Sequence, residues 1–152
     1  MIELVQENDL RLIKKIIEVD QHAFGEGGMN EWHLLPLIRH GRVFVIKEKD
    51  HVLGSIQYML DWNTRNKAYI YGIAIAEESR GKGLGTRLLA DSIQKLANDN
   101  IEEVELTVDP ANIVAINVYH KKLGFAITEF RESEYGDNED RLVMTLNLKQ
   151  NP

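Results

Sequence analysis

The chain has 152 residues, 43% of them hydrophobic and 28% charged, with a formal net charge of −6 and no cysteine. That composition describes one globular domain, 1–152, with apolar residues enough for a core. It excludes disulfides, thiolate catalysis and cysteine-held zinc, and the acidic balance argues against a nucleic-acid partner, whose backbone needs a basic face.

Ile2 to Val5 reads as a short first strand. Asn8 or Asp9 is placed to cap a helix whose Leu10, Ile13, Ile16 and Ile17 share one face. Gly25, Gly27 and Gly28 break the pattern, and Asn30 caps a second helical segment, Glu31 to His40. Pro36 lies inside it, so a break or two short pieces are expected. Gly41 suits the C-terminus. Arg42 to Lys47 and Val52 to Leu60 follow as strands around a tight turn at Lys49-Asp50. After a polar loop, Asp61 to Asn66, the strand Ala68 to Ala76 completes an expected antiparallel meander. A glycine-rich stretch and an amphipathic helix, Leu84 to Ala97, come next. Ile101 to Val108 is a strand in which Glu103 and Glu105 alternate with Val104 and Leu106. Asn112 stands at the start of a helix from Ile113 to about Leu123, which Gly124 ends. Phe125 to Arg131 and Leu142 to Leu148 form a last strand pair around a polar loop. The expected class is α+β, a mixed and mostly antiparallel central sheet of about six to seven strands flanked by about four helices. No apolar run approaches the roughly 20 residues of a membrane span, and Met1-Ile2-Glu3-Leu4 lacks the features of a signal peptide. The cytoplasm is the expected location, with no membrane contact.

Arg80-Gly81-Lys82-Gly83-Leu84-Gly85-Thr86 is the most informative stretch. It joins a strand to a helix, and its glycines let successive backbone N–H groups converge on an anion ahead of the positive end of the helix dipole. Arg80, Lys82 and Arg87 add positive charge. The spacing is neither GxxxxGK[ST] nor GxGxxG. A phosphorylated small molecule is the expected ligand. In the second informative stretch, helical spacing puts Ala115, Tyr119 and Leu123 on one stripe. Asn112 lies at the mouth of that helix, placed to cap it or to bond a ligand, and Tyr119 is either a packing residue or a chemical one.

Together these segments resemble the GCN5-related N-acetyltransferase (GNAT) family. Its acetyl-CoA motif, Q/R-x-x-G-x-G/A, matches Arg80-Gly81-Lys82-Gly83-Leu84-Gly85, and its later Asn, Tyr and Leu-Gly-Phe match Asn112, Tyr119 and Leu123-Gly124-Phe125. The resemblance implies the acyl-CoA N-acyltransferase fold and an N-acetyltransferase of EC 2.3.1 type, with acetyl-CoA as acyl donor and no metal. Arg80, Gly81, Lys82, Gly83, Leu84, Gly85 and Thr86 would hold the pyrophosphate. Ile73, Ala74 and Ile75 would offer backbone groups to the pantetheine arm, which Asn112 would contact or help order. The amide near Ala74 would polarise the thioester carbonyl, and Tyr119, near the sulfur, would act as general acid, since a phenol with a pKa of roughly 10 is protonated at neutral pH. The acetyl group would pass directly to a primary amine of a small molecule, peptide or protein.

The general base is open. Tyr69 and Thr107 stand where different relatives carry a glutamate, which counts against a histone-like or ribosomal N-terminal acceptor. Glu31, His33, Asp61, Tyr71 and Glu105 are the remaining candidates. By family analogy the acceptor site uses Gly25 to His40, Asp61 to Asn66 and the acidic loop Glu132 to Asp140, which would attract a cationic acceptor such as a polyamine or an aminoglycoside. Trp32 and Trp62 are either pocket walls or packing. The family's frequent dimerisation allows a homodimer through the last strands. The alternative to an enzyme is a non-catalytic acyl-CoA-binding regulatory module of the same fold.

Overall fold

Residues 2–149 are described in the structure, a computed structural model. In chain order the elements are β1 (Ile2–Leu4), α1 (Leu10–Phe24), α2 (Glu31–His40), β2 (Arg42–Glu48), β3 (His51–Leu60), β4 (Lys67–Ile75), α3 (Leu84–Asn98), β5 (Glu103–Val108), α4 (Ile113–Asn117), β6 (Ala126–Arg131) and β7 (Arg141–Asn147). The sheet order is β1-β2-β3-β4-β5-β7-β6. The β1/β2, β2/β3, β5/β7 and β6/β7 ladders are antiparallel and β4/β5 is parallel. The expected α+β class therefore holds. The chain forms two compact units, Met1–Met59 with Tyr71–Lys95 and Leu60–Ile70 with Leu96–Pro152.

In the first unit, Asp9 caps α1 by accepting the Leu12 N–H at 3.1 Å. The helix buries Leu12, Ile13, Ile16 and Ile17, positions that share one face at 3.6 residues per turn. They join Leu34, Leu37 and Ile38 of α2 and Val43 and Val45 of β2 in one apolar cluster. Alternate residues of a strand point to opposite faces. Phe44 accordingly meets Tyr58 edge-on at 6.1 Å, and the Tyr58 hydroxyl lies 2.7 Å from Ser92 Oγ of α3. Strand β2 is thus covered on both faces, which explains its unbroken apolar run.

Helix α2 departs from expectation, because Pro36 does not divide it. Proline removes the donor that would reach the carbonyl four residues back, here that of Trp32, a residue on the exposed face of the helix. The ends are well fixed. Asn30 Oδ1 accepts the Trp32 N–H, and the Asn30 N–H donates to His33 Nδ1. The Gly41 N–H donates to the Leu37 carbonyl at 2.8 Å.

In the second unit, Val104, Leu106 and Val108 of β5 stand opposite Leu146, Met144 and Leu142 of β7. The intervening residues Glu103, Glu105 and Thr107 form the other, polar face. The parallel β4/β5 ladder has three pairs, Lys67↔Glu103, Ala68↔Val104 and Tyr69↔Glu105. Strand β4 itself continues to Ile75. Helix α4 is shorter than expected: after Asn117 the backbone widens into a π turn, Val118–Lys122. Gly124, at φ +85°, then ends the helix, and Phe125 is fully buried.

Gly41 tests the packing of the first unit. A Cβ there would lie 2.2 Å from the Tyr58 carbonyl oxygen and 2.9 Å from that of Leu37. Backbone on both sides leaves no flexible atom to move, so Gly41→Ala should lower stability by about 1–3 kcal/mol. A urea midpoint equal to that of the unaltered chain would contradict the close packing of α2 against β3.

Candidate active site

The end of β4 leads into a short 3₁₀ turn, Glu77–Ser79, and then into the glycine loop. His22 Nε2 of α1 meets the Glu77 carboxylate at 2.6 Å, and this contact holds the Glu77 carboxyl below its ordinary pKa. Arg80 Nε donates to the Ile75 carbonyl at 3.2 Å. Of the backbone groups expected to be open to a pantetheine arm, the Ile75 carbonyl is thus engaged by the chain itself. Ala74 is buried, and Ile73 and Ile75 are half-buried.

Gly81 and Gly83 adopt φ +78° and +74°, and a Cβ on either would meet no atom within 4 Å. Glycine is required there by conformation, not by crowding, because other L-residues are strained at positive φ. The space over the loop is open to a ligand. Helix α3 begins at Leu84, and the first bond of its ladder runs from the Arg87 N–H to the Gly83 carbonyl at 3.1 Å. The amides of Leu84, Gly85 and Thr86 precede that bond and remain available at the positive end of the dipole. The first turn of α3 carries no acid, and Arg80 and Lys82 are exposed. This donor set fits a diphosphate.

The second unit carries the other two expected residues. Asn112 caps α4, its Oδ1 accepting the Ala115 N–H at 3.2 Å. The capping role is therefore the one observed. Tyr119 sits in the π turn, half-buried, with its ring 6.0 Å from that of Phe125. Burial pushes the Tyr119 phenol above its ordinary pKa, and the charge of Arg141 draws it part of the way back. The His120 Nδ1–H donates to the Phe125 carbonyl at 2.8 Å and so ties the π turn to the chain after it. π turns inside helices occur often at functional sites.

Most candidate bases are otherwise engaged. His33 Nδ1 belongs to the cap of α2. Asp61 Oδ1 accepts the Asn63 and Thr64 N–H groups. Glu105 is buried against Lys67 Nζ at 2.7 Å. Glu31 and Tyr71 are exposed. Tyr69 and Thr107 form a cluster missed from the sequence: the Tyr69 hydroxyl lies 3.2 Å from Thr107 Oγ1 and 3.4 Å from the Tyr135 hydroxyl, and Arg141 also donates to Thr107. Burial, the largest influence, pushes Tyr69 up to about 12, which makes it a poor base at neutral pH. The tryptophans pack little: Trp32 and Trp62 are 86% and 82% exposed, and Arg65 lies over the Trp62 ring at 4.9 Å.

Residues 10–125 match the family model described as Acetyltransferase (GNAT) family. The chain belongs to this family. It is an acetyl-CoA-dependent N-acetyltransferase, and its relatives bear this out. Over 147 residues it is 31% identical to an N-alpha-acetyltransferase of Sulfurisphaera tokodaii, covering 90% of this chain and 87% of that protein. It is similar to the crystal structure of Ard1 from Thermoplasma volcanium, with a TM-score of 0.80 and 25% identity over 97% of each chain. An aminoglycoside 6'-N-acetyltransferase solved with coenzyme A shares the fold, at a TM-score of 0.79 and 14% identity over 100% of this chain and 99% of that one.

A GNAT loop that binds diphosphate through backbone amides depends on positive φ. Gly83→Ala should weaken coenzyme A binding roughly tenfold through backbone strain alone. Calorimetric titration of the folded variant measures this, and an unchanged Kd would refute the assignment.

Proposed function

We propose that the enzyme acetylates a primary amine, with the N-terminal amine of a peptide as the favoured acceptor, and that Tyr119 is its general acid. The observation that carries the acid role is a half-buried phenol kept protonated by its surroundings. The name of the Sulfurisphaera relative favours an N-terminal amine. Arg80, Gly81, Lys82, Gly83, Leu84, Gly85 and Thr86 bind the diphosphate of acetyl-CoA, Ile73, Ala74 and Ile75 align its pantetheine arm, and Asn112 orders the start of α4 beside that arm.

Acetyl-CoA supplies the carbonyl carbon that is attacked and the thiolate that leaves. The neutral amine adds to the carbonyl carbon to form the new N–C bond, and the C–S bond breaks as the tetrahedral intermediate collapses. An amide near Ala74 would meet the charge that develops on the carbonyl oxygen; one such preorganised donor is worth about 3–4 kcal/mol of barrier. Tyr119 gives its proton to the departing sulfur and recovers one from solvent, which also takes the proton released by the amine. No step calls for a metal or a cysteine. No helix among the described residues is long and apolar enough to cross a membrane. We assign the enzyme to the cytoplasm, with the last strands, β6 at the sheet edge, as the place where two copies would pair.

Tyr119→Phe should lower kcat by about 10²–10⁴-fold and leave the KM for acetyl-CoA nearly unchanged. Because the folded phenol titrates above its ordinary value, the acid form persists as pH rises. In the unaltered enzyme, kcat/KM should therefore climb as the acceptor ammonium deprotonates, with no fall attributable to Tyr119 below about pH 10. Full turnover by Tyr119→Phe across that range would dismiss the acid role.

A further inference from the structure

Four polar side chains of the second unit form one cluster: Tyr69 of β4, Thr107 of β5, Tyr135 from the connection between β6 and β7, and Arg141 at the start of β7. Arg141 Nε donates to Thr107 Oγ1 at 3.3 Å, and Nη2 donates to the Thr107 carbonyl at 3.0 Å. The guanidinium carbon lies 5.7 Å from the centre of the Tyr135 ring, and the Tyr135 hydroxyl reaches that of Tyr69. The guanidinium is half-buried and held in one orientation.

Only one edge of it is engaged. The edge formed by Nε and Nη2 faces Thr107, whereas Nη1, on the outer edge, has no hydrogen-bond partner among the described residues. No described carboxylate lies within the 4.0 Å of an ion pair with Arg141. Four acids of this unit serve other groups. Glu129 and Glu134 hold Arg131 at 2.8 and 3.1 Å, Glu105 faces Lys67 and Arg131, and Asp140 accepts the Ser133 N–H. A fixed guanidinium with one open edge matches the two oxygens of a carboxylate. Its charge also reaches Tyr119.

We propose that Arg141 is a specificity residue that grips a carboxylate carried close to the reacting amine, either the α-carboxylate of a free amino acid or the side chain of an acidic first residue in a peptide. The assignment rests on Tyr119 marking the reacting end of the acceptor. It reverses the expectation that the Glu132 to Asp140 loop selects a cation.

The test compares matched pairs on the coenzyme A-saturated protein: one peptide beginning with Glu or Gln, and alanine against alaninamide. Calorimetry gives the affinity ratio within each pair for the unaltered chain, Arg141→Gln and Arg141→Lys. The carboxylate member of one pair should bind about tenfold more tightly to the unaltered chain, and the pair that shows this names the source. Arg141→Gln should bring the ratio close to one, and Arg141→Lys should keep part of it. Each protein is its own reference, so partial unfolding affects both members alike. Ratios near one in the unaltered chain, or a preference that survives Arg141→Gln, overturn the proposal. Because binding is read without turnover, loss of the preference alongside intact acetyl transfer removes the carboxylate grip alone. Retention of the preference with full turnover in Tyr119→Phe removes the acid assignment and keeps the grip.

Discussion

A parallel ladder of three residue pairs is the constraint on which the site depends. Lys67 to Tyr69 pair with Glu103 to Glu105, and Lys67 Nζ lies 2.7 Å from Glu105 under the same stretch. The Asn66 carbonyl accepts the Glu102 and Glu103 N–H groups and so fixes the register at its start. Past Tyr69, β4 runs on without β5 to Ala74 and Ile75 and then, through the turn Glu77–Ser79, into the glycine loop. Backbone polar groups must find partners when buried. A strand that leaves its neighbour after three residues is therefore suited to pair with something other than protein, and the amides at the head of α3 lie along the same path of chain.

The parts legible in the sequence are those that local chemistry decides. Asp9, Asn30 and Asn112 cap the helices they precede because short polar side chains reach the orphan amides of a first turn. Gly81, Gly83 and Gly124 occupy positive φ where their spacing required it. Pro36 was misleading because its effect depends on whether one carbonyl can meet water, a matter of exposure and not of composition. The π turn at Tyr119 was hidden because nothing in the side chains of Val118–Lys122 separates a wider turn from regular winding; the local bond from His120 to the Phe125 carbonyl and the stop at Gly124 accompany it. Nothing in the local sequence marks Arg141 beyond its place next to the acidic loop. Its partner Thr107 is 34 residues away, brought close by the β5/β7 register. The tryptophans, which looked like walls or packing, are mostly exposed.

Charge in the second unit is more ordered than a count of acids suggests. Lys67 faces Glu105, Glu103 and Asp61, and those carboxylates hold its ammonium above the ordinary pKa. Arg131 is held in the same sense, chiefly by Glu129. Carboxylates committed to neighbouring cations, as Glu105, Glu129 and Glu134 are, project little field toward a ligand, because opposite charges in contact cancel over a few ångströms of salt solution. The guanidinium at the start of β7, by contrast, has no carboxylate in ion-pair contact among the described residues.

The π turn has one more consequence. It accommodates an additional residue between the cap at Asn112 and the stop at Gly124, so it behaves as an insertion absorbed within a helix. Deleting one residue from 113–118 would let the segment relax to regular winding while both ends stayed anchored. Each residue of an α-helix advances about 100° around its axis, so the side chains between the anchors would swing by that angle. The aim of the Tyr119 hydroxyl is thus set by chain length as much as by chemistry, and a natural deletion here would redirect it without altering any functional residue.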